Sequence, residues 1–230
     1  MNMKSALICG AAALVTCLLS ATAFAIPGGG GGSTCSVSRE TGSGAVFYVP
    51  RGGDGTYNIL GWGNGTGGSS STYRGLLEAA AARCVLVAAA TTANSGSGAE
   101  VQSAVTQALS RYRSIVGTSP KICTSGHSQG GGGSFNAANR LGAQCVIAVQ
   151  PDTVFTTRIE RPVSSSTDVV CIFSTGDTLA PALPSNGLNC RRNSTRYTQE
   201  STSGTHFAPT SGDGGAPGRV MREYIDRWML

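Results

Sequence analysis

The chain has 230 residues, with 17 Lys and Arg against 12 Asp and Glu for a formal charge of +5. Its basic residues stand singly apart from Arg191-Arg192 and only 6% of the chain is aromatic, so a nucleic-acid surface is not expected. After residue 25 no apolar run is long enough to span a bilayer, which excludes stable membrane insertion as an expectation.

Residues 1–25 place a lysine early, then an apolar run, then Ala23-Phe24-Ala25, the pattern of a secretory signal peptide. This predicts a secreted chain, periplasmic or extracellular. Val15 and Thr16 before Cys17 are poor residues for a lipidation site. Residues 26–34 are glycine-rich and predict a flexible leader, and residues 35–230 suit one domain with a full core.

Of the eight cysteines, Cys9 and Cys17 leave with the signal. The remaining even number in an exported chain predicts disulfides. Composition alone does not choose among the possible pairings. Sequential pairing, Cys35 with Cys84, Cys123 with Cys145 and Cys171 with Cys190, is taken as the expectation. No Cys-x-x-Cys spacing occurs and the chain has two histidines, so neither a metal nor another cofactor is expected.

In chain order, residues 45–50 and 57–62 read as strands, and residues 70–83 as a helix with Tyr73, Leu76, Leu77 and Ala80 on one face. Residues 84–91 follow as a buried strand. A long helix is predicted over 98–116, carrying Val101, Ala104, Val105, Leu109, Tyr112 and Ile115 on one side. Then come a strand at 121–126, a helix at 133–141, strands at 145–151, 168–175 and 196–202, and a C-terminal helix lined by Val220, Tyr224, Ile225 and Trp228. Apolar strands alternating with helices predict an α/β fold with a mostly parallel sheet covered on both faces. Ligands in such folds sit at the carboxyl ends of the strands.

Residues 126–134, GHSQGGGGS, follow the strand at 121–126 and open a helix, the context in which Gly-x-Ser-x-Gly presents a nucleophile on a sharp turn. No Gly-Lys-Ser/Thr follows the glycines, as a phosphate loop would require. Ser128 is the candidate nucleophile. It needs a base, and only His127 and His206 are available. Adjacent side chains diverge on a turn, which disfavours His127 and leaves His206, in a loop after the last predicted strand. The orienting acid falls between them in chain order. Asp177, just past the strand at 168–175, is preferred, with Asp152 as the runner-up. For the oxyanion, the amide of Gln129 is one candidate donor and that of Trp62 the other, with Gly63 as its alternative; the Trp62 indole is a candidate wall of the site.

Taken together, GWGNGTGG, GHSQGGGGS, STGDTLAP and THFAP resemble the α/β-hydrolase superfamily, and within it the secreted bacterial cutinases and polyester hydrolases related to dienelactone-hydrolase-like esterases. The resemblance covers most of residues 35–230. It implies an α/β-hydrolase fold without a lid domain, an open, shallow site and a Ser128-His206-Asp177 triad. The activity it implies is hydrolysis of short to medium acyl esters or polyesters. A monomer is expected. In that group a tyrosine or phenylalanine usually stands at Trp62, a methionine at Gln129 and a tryptophan near Thr153. Gln129 is similar instead to the fungal cutinase elbow Gly-Tyr-Ser-Gln-Gly, and Thr153 removes an aromatic wall that would clamp an aromatic acyl group. An acyltransferase or peptidase using the same triad, or a non-catalytic binding module, would be the alternatives.

Overall fold

The computed structural model describes residues 34–230, except residue 54; the predicted signal peptide and residues 26–33 of the predicted leader lie outside the described residues. Among the described residues eight strands are present: β1 (Ser36–Thr41), β2 (Ala45–Arg51), β3 (Ile59–Gly63), β4 (Leu86–Ala90), β5 (Ile122–His127), β6 (Cys145–Val149), β7 (Asp168–Ser174) and β8 (Arg196–Thr202). They form one sheet in the order β1-β2-β4-β3-β5-β6-β7-β8. β1 and β2 run antiparallel to their neighbours, and every pairing from β4 to β8 is parallel.

The helices are α1 (Arg74–Ala81), α2 (Ala99–Arg111), α3 (Arg113–Val116), α4 (Gln129–Leu141), α5 (Gly187–Arg192) and α6 (Gly215–Met229). Strand residues alternate between the two faces, as the pleat requires. Val46, Tyr48, Leu60, Ile147 and Val149 pack with Leu76 and Leu77 of α1 and Met221 and Ile225 of α6. On the opposite face, Phe47, Ile59 and Ala88 meet Ala104, Val105 and Ala108 of α2, while Val146, Ala148 and Phe173 meet Phe135 and Ala138 of α4. The chain is thus α/β, with a mostly parallel sheet between two helical layers.

The structure departs from the sequence reading at two helices and adds three elements. The helix predicted over 98–116 breaks at Tyr112, whose φ of −112° and ψ of 23° leave the helical region; its hydroxyl donates to Glu40 Oε2 at 2.8 Å and its ring packs edge-on against Phe47. The helix predicted from 133 begins at Gln129, taking in the whole glycine run. β1, α5 and an irregular turn at 182–186 were not read from the sequence at all.

Three disulfides join Cys35 to Cys84, Cys123 to Cys145 and Cys171 to Cys190. Cys123 and Cys145 are register partners on β5 and β6, and Cys171 on β7 is tied to Cys190 on α5. Among the described residues, no helix is long and apolar enough to cross a membrane.

Candidate active site

The carboxyl ends of β5, β6, β7 and β8 lie along one rim, which brings the loops holding Ser128, Asp152, Asp177 and His206 side by side. Ser128 sits between β5 and α4 with φ 54° and ψ −118°, a positive φ that non-glycine residues seldom adopt. The turn is possible because its neighbours lack side chains. A Cβ on Gly126 would run into the Gly130 carbonyl, and one on Gly130 into the backbone of Gly63. The same holds further along α4, where a Cβ on Gly132 or Gly133 would strike the carbonyls of Asp152 and Ser95. The glycines lower helix propensity, and in return α4 seats directly on the loops that frame the site.

Ser128 Oγ lies 3.0 Å from His206 Nε2, and His206 Nδ1 lies 2.8 Å from Asp177 Oδ2. An ionised carboxylate only accepts, so Nδ1 carries the proton and Nε2 faces the serine as an acceptor. Asp177 is buried. Its Oδ1 accepts from the amides of Leu179 and Ala180, both at 2.9 Å. Burial pushes its pKa up, but the His206 hydrogen bond and the Ala180 amide outweigh that and leave it below the ordinary aspartate value. The acid and histidine loops are stitched together by Thr175 N–H to Thr202 O and Gly176 N–H to Gly204 O.

Asp152, the runner-up acid, is occupied elsewhere. Its two oxygens accept from the amides of Val154, Phe155 and Thr156 and from the Thr156 hydroxyl at 2.6 Å. Burial raises its pKa, the Thr156 hydroxyl and the three amides lower it, and the net is a depressed value. It lines the cavity beside Ser128 and shapes the 153–156 turn, while His206 is bonded to Asp177.

Trp62 is not brought to the site, which corrects the expectation for it. It lies inside β3, paired with β4 on one side and β5 on the other, so its amide belongs to the sheet ladder. Gly63, its alternative, is likewise in β3 opposite Gly126. The Trp62 indole is fully buried, donates to Asn64 Oδ1 at 3.2 Å and packs on the Tyr73 ring. The loop that does face Ser128 begins two residues later. Asn64 is clamped by its amide to Ser95 Oγ and by Nδ2 to the carbonyls of Ala90 and Thr92. A Cβ on Gly65 would lie 3.3 Å from Ser128 Cβ. Gly65 N–H is taken by the Tyr73 hydroxyl at 3.2 Å. The amides of Thr66 and Gln129 have no protein acceptor among the described residues. For Gln129 the reason is its place as the first residue of α4, where N–H groups lie outside the helical ladder. Its side chain reaches away, with Nε2 donating to the Thr156 carbonyl at 3.3 Å.

A cavity of about 550 Å³ opens above Ser128. Phe155, Leu179 and Phe207 stand around it, exposed by 80%, 54% and 60%. No lysine or arginine is among its lining residues, in a chain with net positive charge. Thr153 is buried and bonded to Asn186 Oδ1. The aromatic surface is supplied instead by Phe155 and Phe207, which sequence reasoning missed. Their only signal is a large apolar residue in a loop otherwise made of small and polar ones.

His127 is buried, and burial, followed by the neighbouring His206, lowers its pKa to about 3. It is therefore neutral at ordinary pH and does not contact Ser128 Oγ as a base. Among the described residues no cluster of His, Cys, Asp and Glu suited to a metal ion is found.

A hydroxyl bonded to an imidazole that is in turn bonded to a buried carboxylate is the arrangement that general-base activation of a serine requires. Neither the protein-family models nor the curated proteins compared with the chain give a match.

Proposed function

We propose that this chain is an exported serine hydrolase of carboxylic esters built on the α/β-hydrolase fold, of the cutinase and polyester-hydrolase kind. The observation that carries this reading is the Ser128-His206-Asp177 hydrogen-bonded series at the carboxyl rim of the sheet, in that chain order of serine, acid, histidine. The strand-turn-helix setting of Ser128 and the glycine-bearing loop between β3 and α1 support it, since that fold draws its oxyanion donors from those two places.

In the mechanism, Ser128 Oγ attacks the ester carbonyl carbon as His206 Nε2 takes its proton. The carbonyl oxygen becomes an oxyanion, held by the amides of Gln129 and Thr66; each such donor contributes about 3 kcal/mol in known cases. Asp177 fixes the His206 tautomer and stabilises the imidazolium. His206 then gives its proton to the departing alkoxide, the C–O bond breaks, and the alcohol leaves an acyl-Ser128. Water, deprotonated by His206, releases the acid and restores the serine.

The apolar rim of Phe155, Leu179 and Phe207 supports acyl groups of short to medium length or a neutral polyester chain. The three disulfides and the signal-like residues 1–25 support export.

The test is turnover of p-nitrophenyl esters from acetate to palmitate by the purified protein beside its Ser128→Ala variant. Serine-dependent turnover strongest on short and medium chains is the expected result. Folded protein with no turnover on any ester would remove the reading and favour a specialised acyl transfer or a binding role.

A further inference from the structure

The cavity wall beside Ser128 holds two buried polar side chains that the mechanism above does not use, Tyr73 and His127. Their bonds run in one direction. His127 Nε2 faces two acceptors, the His206 carbonyl at 2.8 Å and Gln150 Oε1 at 3.2 Å. The Gln150 amide is oriented by its own donations from Nε2 to Ser174 Oγ at 2.6 Å and to the Thr205 carbonyl at 2.8 Å. Nε2 of His127 therefore carries the proton. Nδ1, 2.9 Å from the Tyr73 hydroxyl, is left to accept. The Tyr73 oxygen in turn accepts from Gly65 N–H. Behind this series stand the rings of Trp62, Tyr73, His127 and His206, with successive centroids 5.2, 5.5 and 4.7 Å apart.

We propose that Tyr73 and His127 are positioning residues that hold the oxyanion loop at Gly65-Thr66 and the histidine loop at Thr205-His206 in fixed register around Ser128. The proposal rests on the ester-hydrolase reading. Its physical basis is that Gly65 and His206 come from loops after β3 and β8, far apart in the sheet, and that three consecutive buried hydrogen bonds join them. Burial prevents water from substituting for any of the three. Gln150, which has a φ of 44°, reinforces the second loop through its bond to the Thr205 carbonyl. Misplacing either loop by a fraction of an ångström costs rate rather than binding, because the affected contacts tighten only as charge develops on the carbonyl oxygen.

The experiment compares Tyr73→Phe, His127→Gln and the double variant on a soluble ester, with histidine ring-nitrogen NMR of the unmodified protein alongside. Tyr73→Phe removes one hydroxyl and should lower kcat by roughly ten- to hundredfold, with KM changed less than about twofold. The double variant should be about as slow as the slower single one, since both break the same series. The NMR should find neutral His127 protonated on Nε2. A Tyr73→Phe enzyme with full kcat, effects that multiply in the double variant, or His127 protonated on Nδ1 would each overturn the proposal. If a variant fails to fold, the tautomer in the unmodified protein decides. If the unmodified protein hydrolyses no ester, the functional reading falls, and the tautomer still tests the hydrogen-bond series by itself.

Discussion

The His127 and His206 rings lie tilted against each other with centroids 4.7 Å apart, yet only His206 reaches Ser128 Oγ; His127, the serine's neighbour in sequence, points into the wall and donates to the His206 carbonyl. Two imidazoles in contact thus have separate tasks set by their partners. One is bonded to a carboxylate and faces the serine, and the other is bonded to a phenol and a carbonyl and stays neutral.

The two candidate acids separate by mutation. Asp177→Asn should lower kcat/KM by about ten-thousandfold, because it removes the acceptor that fixes the His206 tautomer. Asp152→Asn should cost far less rate and should loosen the 153–156 turn, seen as faster proteolysis or amide exchange there. Steady-state kinetics on one soluble ester, with circular dichroism to confirm folding, would settle the assignment. The reverse order of effects would reassign the acid.

Stability should depend on pH through His127. Its folded pKa of about 3 lies below the ordinary value near 6.5, so between those limits the unfolded chain binds the extra proton. The stability it contributes is complete above about pH 6.5 and declines as pH falls toward 3, by at most about 1.4 kcal/mol per pH unit. Asp152 and Asp177 have depressed values, so their contribution is lost only lower, below the ordinary aspartate pKa near 3.9. Thermal unfolding from pH 8 to 4 should show Tm dropping on the acid side in the unmodified protein and a shallower drop in His127→Gln. Parallel slopes in the two proteins would count against the buried neutral histidine.

Gly133→Ala reverses a familiar sign. In an open helix interior the change adds about 1 kcal/mol of stability. Here the new methyl would collide with the Ser95 carbonyl, so the variant should be less stable by roughly 1–3 kcal/mol. Urea midpoints measure it, and a gain in stability would mean that α4 does not sit so close to that loop.

On the ester-hydrolase reading, the cavity should favour neutral esters. Its lining includes Asp152, whose carboxylate carries the nearby negative charge, and no lysine or arginine. A dialkyl ester of a dicarboxylic acid should therefore be cleaved faster than the corresponding half-ester, whose free carboxylate must approach a like charge. Added salt should narrow the gap as the charges are screened. Equal rates at low salt would show that the free carboxylate points out to solvent.

The layered α/β arrangement, the elbow around Ser128, and His206 and Asp177 as its partners were legible in the sequence. These features are local: apolar periodicity, a glycine-flanked serine after a buried strand, and a shortage of rival histidines leave few choices. β1 escaped notice because a polar edge strand buries little and so has no apolar pattern, and the break at Tyr112 arises from contacts with Glu40 and Phe47 that lie outside the helix. Only tertiary structure moved the candidate oxyanion donor from Trp62 to Thr66, because sheet pairing, which depends on β4 and β5, decides which amides of that segment are free. Likewise the meeting of Phe155 and Phe207 around one cavity and the Tyr73-His127 series depend on residues distant in sequence, whereas Asp152 is occupied by amides only two to four residues along the chain. Local pattern determines which elements form and which residues can do chemistry. The loop packing at the sheet rim determines which of those residues meet.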